Sequence, residues 1–330
     1  MNVKNKFKPN PNIRFMDQVR EVLRYYHYAY KTEQTYCSWI LQYIRFHGGN
    51  VHPKNMGKNE VERFLSYLAT ERKTSAATQR QALNALVFLY DKVLDIELGK
   101  DISPVRAKRR SRPPIVLTKD EIKRLLGNMN AKNALMAKLL YGCGLRLMEC
   151  IRLRIKDIDF GQGKIYVHES KGNKNRVVIL PDIIEKELKN HVEAVIDLHT
   201  QDLADGFGEA YIPDALLRKY PQASKETAWQ YVFPSKKLSE DPRTGNVRRH
   251  HINETVLQKA VKRALTQSKI FKKAGCHTLR HSFATHLLES GVNIRVVQKL
   301  MGHADVKTTE IYTHVMNKDI EAVTSPLDIL

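Results

Sequence analysis

The chain has 330 residues, enough for two domains with complete cores, and its hydrophobic fraction of 42% is ordinary for a globular protein. Lysine and arginine number 55 against 35 acidic residues, so the net charge is +20. This excess favours nucleic acid as the partner, although a basic surface can also bind anionic lipid. No apolar run approaches the ~18 residues of a membrane span, and the first ten residues lack a signal-peptide hydrophobic region. We therefore expect a cytoplasmic protein that does not enter membranes.

The spacing of the four cysteines argues against a zinc knuckle and against a disulfide framework, because no two of them form a CxxC pair. Reduced thiols in the protein core are the simplest interpretation. The four residues are Cys37, Cys143, Cys150 and Cys276.

Residues 1–100 predict a helical N-terminal domain. Apolar residues recur at helical spacing, and no strand pattern interrupts them. Ser75 is the expected N-cap of the last helix. Helices that bury apolar stripes against one another form a bundle. The expected helices span residues 14–26, 32–47, 58–72 and 75–94.

Residues 101–114 are predicted to form a basic linker between this domain and a second one. The stretch combines prolines with a run of cations. Such a run is most often only solvated, but between two domains of a basic protein it is equally suited to follow a phosphate backbone. The candidate DNA contacts of the linker are Arg106, Lys108, Arg109, Arg110 and Arg112.

Residues 115–318 predict a second domain that is mainly α with a small antiparallel β-sheet. Thr118 is the expected N-cap of its first helix. The segments GKIYVHES and RVVIL alternate apolar and polar residues around the turn KGNKN, which is typical of a β-hairpin. A helix is expected over residues 182–197, an irregular segment over 198–235, and further helices from about residue 252.

The stretch CHTLRHSFATH, residues 276–286, predicts a helix with two unlike faces. Its apolar side chains share one face, whereas His277, Arg280 and His281 lie on the other and are expected to present cations. Neighbouring cationic donors repel one another unless an anion lies between them. The stretch therefore indicates an anion-binding site.

A phosphodiester that is attacked by a side chain without a metal ion needs four kinds of group. These are donors for the nonbridging oxygens, an acid for the leaving oxygen, a base and a nucleophile. The chain offers them in the boxes LRLME, the hairpin turn, HTLRH, LMGH and TTEIYTH, as Arg146, Glu149, Lys171, His277, Arg280, His303 and Tyr312. A lone tyrosine is more often a core residue than a nucleophile. The whole set, however, strongly resembles the tyrosine recombinases, the phage-integrase family.

The resemblance covers roughly residues 12–318 and implies a helical core-binding domain followed by a catalytic domain. It implies that Arg146 and Arg280 clamp the scissile phosphate, to which an arginine donates through a planar fork. Tyr312 would attack the phosphate and form a 3′-phosphotyrosine with release of a 5′-hydroxyl. Because the covalent link keeps the phosphodiester energy, the resemblance implies no cofactor, metal or ATP.

The resemblance also implies roles in proton transfer and orientation. Lys171 would protonate the leaving oxygen, with Lys174 as the alternative acid. His277 and His303 would donate to phosphate oxygens or handle the tyrosine proton. Glu149 would orient the first clamp arginine and His277.

Residues 198–235 resemble the additional segment that distinguishes integron integrases from other tyrosine recombinases. This likeness implies recombination of gene cassettes between a folded single strand with extrahelical bases, the attC type, and a duplex attachment site. Extrahelical bases are held by aromatic stacking and by contacts to their edges. The candidate contacts are Trp229, Tyr231, Arg248, Arg249, His250 and His251. Core packing is an equally good interpretation of the two aromatic residues, and RRHH is equally a solvated turn.

Strand exchange between two sites needs a cleaving subunit on each half-site, so the resemblance implies a homo-tetramer on DNA. It further implies a bacterial-type, nucleoid-associated protein. Residues 319–330 form an apolar tail, which we expect to dock in cis or on a neighbouring subunit.

Three other functions fit part of the pattern. A noncatalytic DNA-binding protein explains the charge but neither Tyr312 nor Lys171. A metal-dependent nuclease would use His277, His281 and His303, yet the carboxylates and the zinc-binding spacing are missing. A type IB topoisomerase shares the tyrosine chemistry and is disfavoured by the integron-like segment.

Overall fold

The structure is a computed structural model that describes residues 7–99, 101–107, 114–170 and 174–312. The chain divides into two compact units, Met1–Arg112 and Pro113–Leu330. Within the described ranges, no helix combines the length and apolar character needed to cross a membrane.

The N-terminal unit is a helical bundle, as its apolar spacing predicted. Ser75 caps the last helix, since its Oγ accepts a hydrogen bond from the N–H of Thr78 at 3.2 Å. The hydroxyl groups of the buried Tyr43 and Tyr90 share a hydrogen bond of 2.8 Å inside the core. The helices are α1 (Phe15–Tyr25), α2 (Tyr30–Phe46), α3 (Lys58–Thr70) and α4 (Ala76–Phe88), which continues as a π-helical turn (Leu89–Leu94).

The first half of the predicted linker is bound to this bundle. Gln79 on α4 donates to the carbonyl of Val105 at 2.7 Å and accepts from the N–H of Ala107 at 3.0 Å. The N–H of Val105 donates to Ser66 Oγ at 3.0 Å. Residues as far as Ala107 therefore belong to the bundle surface, with the Arg106 side chain exposed. The other predicted linker contacts lie outside the described residues; they are Lys108, Arg109, Arg110 and Arg112.

The C-terminal unit is mainly helical around small antiparallel sheets, which confirms the predicted fold class. Its first sheet has the strand order β1–β2–β3, and β2 pairs with β3 as the predicted hairpin. Thr118 accepts from the N–H of Glu121 at 3.2 Å and caps the first helix. These elements are α5 (Lys119–Gly127), α6 (Ala131–Gly142), α7 (Leu147–Ile151), β1 (Ile158–Asp159), β2 (Lys164–Ser170) and β3 (Lys174–Ile179).

The second half of the unit packs against α6, half of whose residues are buried. The four cysteines are buried and free, as predicted. The remaining elements are α8 (Asp182–Ala204), α9 (Asp214–Lys219), β4 (Ser239–Glu240), β5 (Val247–Arg248), α10 (Glu254–Gln267), α11 (Cys276–Glu289), α12 (Ile294–Met301) and α13 (Lys307–Glu310).

The prediction that residues 198–235 are irregular throughout is wrong at both the start and the middle of the segment. Helix α8 runs on to Ala204, and α9 lies within the segment. The buried face of α8 continues beyond Val195 to two polar residues, His199 and Asp202, which are both 4% exposed. Because these buried residues are polar, the apolar pattern ended before the helix did.

Candidate active site

Arg146 and Glu149 meet at the start of α7. Arg146 directly precedes the helix and Glu149 lies in its first turn, where backbone N–H groups lack partners inside the helix. One carboxylate oxygen accepts from the Arg146 N–H at 2.8 Å, and the other accepts from Arg146 Nη1 at 2.7 Å. Glu149 therefore caps the helix and holds the Arg146 guanidinium with the same carboxylate.

Arg176 on β3 binds the same carboxylate. Its Nη1 donates to Glu149 Oε1 at 2.9 Å and its Nη2 donates to Oε2 at 2.6 Å, and both side chains are buried. Burial by itself raises the pKa of Glu149, but the hydrogen bond and charge of Arg176, together with the bonds from Arg146, lower this pKa to about 2. Glu149 is therefore an anion at neutral pH.

The C-terminus of α12 receives an arginine side chain at each of three consecutive backbone carbonyls. The pairs are Arg176 Nε to Leu300 O at 2.8 Å, Arg280 Nη2 to Met301 O, and Arg146 Nη2 to Gly302 O at 3.2 Å. The last carbonyls of a helix have no partner inside it and carry partial negative charge, so they suit cationic donors. We call Arg146, Arg176 and Arg280 the arginine cluster. Glu149 and the end of α12 together compensate its charge.

Arg280 on α11 is a buried member of this cluster, with 4% of its surface exposed. The face of α11 that was expected to present cations therefore buries Arg280. Arg280 Nη1 donates to the Gly144 carbonyl and lies 3.7 Å from Glu149 Oε2. Burial and the neighbouring Arg146 lower the pKa of Arg280 to about 9, although Glu149 opposes the shift. Arg280 is still a cation at pH 7, and the fold fixes its orientation.

His303 follows the end of α12 and therefore lies beside the arginine cluster. Its Nε2 is 3.4 Å from Arg280 Nη2, and its Nδ1 is 2.9 Å from Thr309 Oγ1. Burial, followed by the charges of Arg280 and Arg146, lowers the pKa of His303 to about 4. His277, at the start of α11, is exposed, and its pKa is lowered by partial burial of the ring and by the same two arginines. Both imidazoles are thus neutral at pH 7, and a neutral imidazole can donate one hydrogen bond and accept another.

Tyr312 is buried, with 1% of its surface exposed, in a small apolar cluster formed by α11 and α12. Its hydroxyl lies 2.6 Å from His281 Nδ1. Burial raises the pKa of Tyr312, and the charges of Arg280 and Arg146 act in the opposite direction. The neighbours of the ring are Ala284, Leu288, Val297 and Met301.

The structure thus brings six of the seven predicted catalytic residues into one region of the C-terminal unit. Lys171 lies outside the described residues, as does the side chain of Lys174. The strands that flank Lys171 end at Ser170 and begin again at Lys174. The role of Lys171 stays a prediction.

Sequence reasoning missed two residues of the site, Arg176 and His281. Arg176 lies two positions before the buried Val178, so the period of a strand places both on the same face of β3, and this signal was available. His281 was considered as one of the cations on this helix and as a metal ligand, but not as a partner of Tyr312. No cluster of three or more histidine, cysteine, aspartate or glutamate side chains suited to a metal occurs among the residues that the structure describes.

The predicted base-contacting residues lie around Arg154, which precedes β1. Arg154 donates to the Trp229 carbonyl at 2.5 Å and lies 4.6 Å from the centre of the Tyr231 ring. Lys156 Nζ lies 4.3 Å from the centre of the Trp229 ring. Tyr231 is 5% exposed and is therefore a core residue, which was one of its two interpretations. Trp229 is partly exposed. Trp229 lies in a 3₁₀ turn, not in a strand.

His250 and His251 pack against Tyr231, with ring centres 5.4 and 5.3 Å from its own. Their two rings are 4.0 Å apart. Burial lowers the pKa of both histidines, that of His251 to about 4. His250 is exposed and His251 half-buried, so the pair forms a neutral aromatic surface next to Tyr231.

Arg248 and Arg249 are paired within the protein. Arg249 forms a fork with the Asp202 carboxylate through Nε and Nη2, and its Nη1 donates to the carbonyl of Ser235 at 2.9 Å. Arg248 Nε lies 3.7 Å from Glu209 Oε2. Arg249 thus attaches the segment after residue 235 to α8, and its contact with DNA stays a prediction.

Comparisons with known proteins agree with this geometry. The model of the Phage integrase family matches residues 115–319, and that of the Phage integrase, N-terminal SAM-like domain matches residues 15–100. An integrase/recombinase of Escherichia coli is 48% identical over 324 residues, which cover 98% of this chain and 95% of that protein. A tyrosine recombinase of Thermosipho africanus is 29% identical over 92% of this chain and 95% of its own length.

A solved structure shares the fold. The XerH site-specific recombinase bound to its palindromic difH substrate, in a post-cleavage complex, superposes with a TM-score of 0.59 at 24% identity, over 93% of this chain and 83% of the XerH chain. The family match covers the whole region that holds the arginine cluster, His303 and Tyr312. The chain therefore belongs to the phage integrase family and is a tyrosine recombinase, an enzyme that cleaves and rejoins DNA.

Proposed function

We propose that the chain is an integron integrase, a recombinase that integrates and excises gene cassettes through a 3′-phosphotyrosine intermediate. Its substrates are folded single-stranded sites of the attC type and duplex attachment sites. The observation that carries the chemistry is the convergence of Arg146, Arg280 and His303 at the end of α12. The Tyr312 hydroxyl is bound beside them, at the residue that follows Arg280 on α11.

In this proposal the scissile phosphate binds at the arginine cluster. Arg146 and Arg280 donate to its nonbridging oxygens, and His303 and His277 supply neutral imidazole donors beside them. The Tyr312 oxygen attacks phosphorus, its proton passes to the neutral imidazole of His277 or His303, and the bond to O5′ breaks, so the 5′-hydroxyl leaves with a proton from Lys171. Attack by a 5′-hydroxyl on the phosphotyrosine reverses the step and rejoins the strand.

The proposed preference for a folded strand rests on the surface around Trp229. The indole is partly exposed, two cations lie beside its ring, and the neutral His250 and His251 pack close by. An extrahelical base needs a flat aromatic partner, and its phosphates need nearby cations. Tyr231 is buried and packs against both histidines, so it does not form the stacking face.

Covalent trapping on a nicked suicide substrate tests the chemistry. Wild type should form a covalent adduct without added metal, and Tyr312→Phe should form none. Tyr25→Phe is a matched control, because Tyr25 lies half-exposed on α1 and the same hydroxyl is removed there. Binding without an adduct by the wild-type protein on any DNA would reject the proposal.

A second comparison tests the substrate. The folded single strand and the matching duplex are supplied in parallel to wild type and to Trp229→Ala. Loss of one stacked base corresponds to about 1–3 kcal/mol of binding energy, so Trp229→Ala should weaken binding of the folded strand and spare the duplex. Trp39→Ala, which removes the other tryptophan, is the control. Equal effects on both DNAs would remove the integron assignment and leave the recombinase.

We further propose a homo-tetramer on DNA whose subunits are joined by the tail, residues 319–330. The tail lies outside the described residues, and its proposed role rests on its apolar sequence. Deleting it should abolish synapsis of two sites while binding of one site persists. Intact synapsis and recombination after the deletion would exclude this role.

A further inference from the structure

The hydroxyl of Tyr312 and the imidazole of His281 form a contact that the proposed mechanism does not use. The two side chains come from positions 31 residues apart, and the O···N distance is 2.6 Å. Their ring centres are 5.6 Å apart at 46°, so the rings do not stack and the contact is made by the polar atoms. His281 lies one residue beyond Arg280 on α11, which places it next to the buried guanidinium.

The protonation state of the pair follows from its surroundings. Burial, and after it the neighbouring His277 and Arg280, lower the pKa of His281 to about 4. Burial raises the pKa of Tyr312. At neutral pH His281 is therefore a neutral imidazole and Tyr312 a phenol. With the phenolic O–H as the donor, His281 Nδ1 is the acceptor.

A hydrogen bond in this direction fixes the orientation of the Tyr312 hydroxyl. The O–H of a phenol has two favoured orientations, and a single acceptor selects one orientation of the O–H and of the oxygen lone pairs. The apolar neighbours of Tyr312 hold the ring but offer nothing to orient the hydroxyl. His281 supplies this orientation next to the arginine cluster.

We propose that His281 is a positioning residue for DNA cleavage, which holds the Tyr312 hydroxyl in its attacking orientation by accepting a hydrogen bond at Nδ1. The inference rests on Tyr312 being the nucleophile, as proposed above. It assigns no proton transfer to His281.

Helix α11 contains a natural control. His286 Nδ1 lies 2.9 Å from the hydroxyl of Tyr141, so the same helix carries a second histidine–tyrosine pair. Among the described residues, neither side chain of this pair forms a hydrogen bond with the arginine cluster. The proposed mechanism gives Tyr141 no role. Removing His286 therefore removes a comparable hydrogen bond without touching the reaction.

The experiment measures single-turnover formation of the covalent adduct and the DNA dissociation constant for full-length variants. His281→Ala should slow adduct formation by about tenfold to a hundredfold, while DNA affinity stays within about twofold. His281→Asn should recover most of the rate, because the amide oxygen takes a place near Nδ1. His281→Gln, whose oxygen reaches toward the Nε2 position, should not. His286→Ala should match wild type.

The outcomes separate this inference from the proposed function. Tyr312→Phe, measured alongside, reports whether Tyr312 is the nucleophile at all. If wild type forms an adduct and Tyr312→Phe does not, the function holds and the His281 variants decide the inference alone. An unchanged or faster rate in His281→Ala would overturn it, as would an Asn variant no faster than the Ala variant. Unfolding midpoints confirm that each compared variant is folded.

Discussion

The carboxylate of Glu149 and the guanidinium of Arg176 form a fork of two hydrogen bonds, 2.9 and 2.6 Å long, in which both side chains are more than nine-tenths buried. The same carboxylate holds Arg146. One buried anion thus holds two members of the arginine cluster. Removing the anion leaves these cations uncompensated, which is far more damaging than losing an exposed pair.

Glu149→Gln should therefore lower the free energy of unfolding by about 3 kcal/mol or more, since it breaks a buried ion pair and leaves a charge behind. Urea unfolding measures the change. The control is Glu185→Gln, whose partner Lys189 lies one helical turn away on the surface of α8. That variant should stay within about 0.5 kcal/mol of wild type. Similar values for both would contradict the central role of Glu149.

Arg280→Lys should slow adduct formation by about a hundredfold to a thousandfold, the usual effect of losing one donor to developing charge. A lysine reaches one acceptor as a point charge, whereas Arg280 binds the carbonyls of Gly144 and Met301 in one plane. Single-turnover kinetics on the suicide substrate measure the loss. Arg263→Lys, on the exposed side of α10, is the matched control and should keep the wild-type rate.

Gly302→Ala should destabilise the protein more than Gly291→Ala. Both glycines have positive φ, +61° and +87°, so alanine is strained by about 1 kcal/mol at either position. An added Cβ at Gly302 would also lie 2.9 Å from Arg176 Cδ, whereas the space at Gly291 is open. The additional loss of unfolding free energy in Gly302→Ala measures the displacement of Arg176. Equal losses in the two variants would show that Arg176 is not displaced. DNA cleavage should fall only in the Gly302 variant.

Stability should decrease as the pH falls from about 6.5 towards 4. The pKa values of His251, His281 and His303 are lowered to about 4 in the folded chain, so the unfolded chain binds more protons in this window. The stability that these histidines contribute is complete above their pKa in the unfolded chain. It is lost as the pH falls from that value through their pKa in the folded chain. The pKa of Glu149 is about 2, so the stability that Glu149 contributes is lost at lower pH. Urea unfolding near pH 7.5 and near pH 5 tests this, and a shallower decline in His281→Asn identifies one source.

Local rules predicted the elements well where a single residue sets the geometry. Ser75 and Thr118 cap their helices, and β2 and β3 pair as the predicted hairpin. These features depend on neighbours in sequence, so the sequence carries the whole signal.

Contacts between distant segments were not predictable in the same way. The order of motifs grouped Arg146 with Arg280, but nothing in the spacing indicated that both donate to carbonyls of α12. The bond between His281 and Tyr312 likewise depends on how α11 packs beside the end of α13. Arg249 pairs with Asp202 inside the fold, although the sequence indicated a DNA contact or a solvated turn for Arg249. Tertiary packing decided each of these cases.

Because Tyr312 is buried among helices of its own chain, we expect that two inactive variants do not restore each other's activity when they are mixed. Each chain holds Tyr312, the proposed nucleophile, beside its own arginine cluster, so we expect that a defective subunit cannot borrow either part from a neighbour. A mixture of Arg280→Lys and Tyr312→Phe proteins should therefore stay inactive, because no subunit in it has both intact parts. Recovery of cleavage on mixing would mean that nucleophiles are exchanged between chains. Absence of complementation makes every cleavage assignable to one subunit.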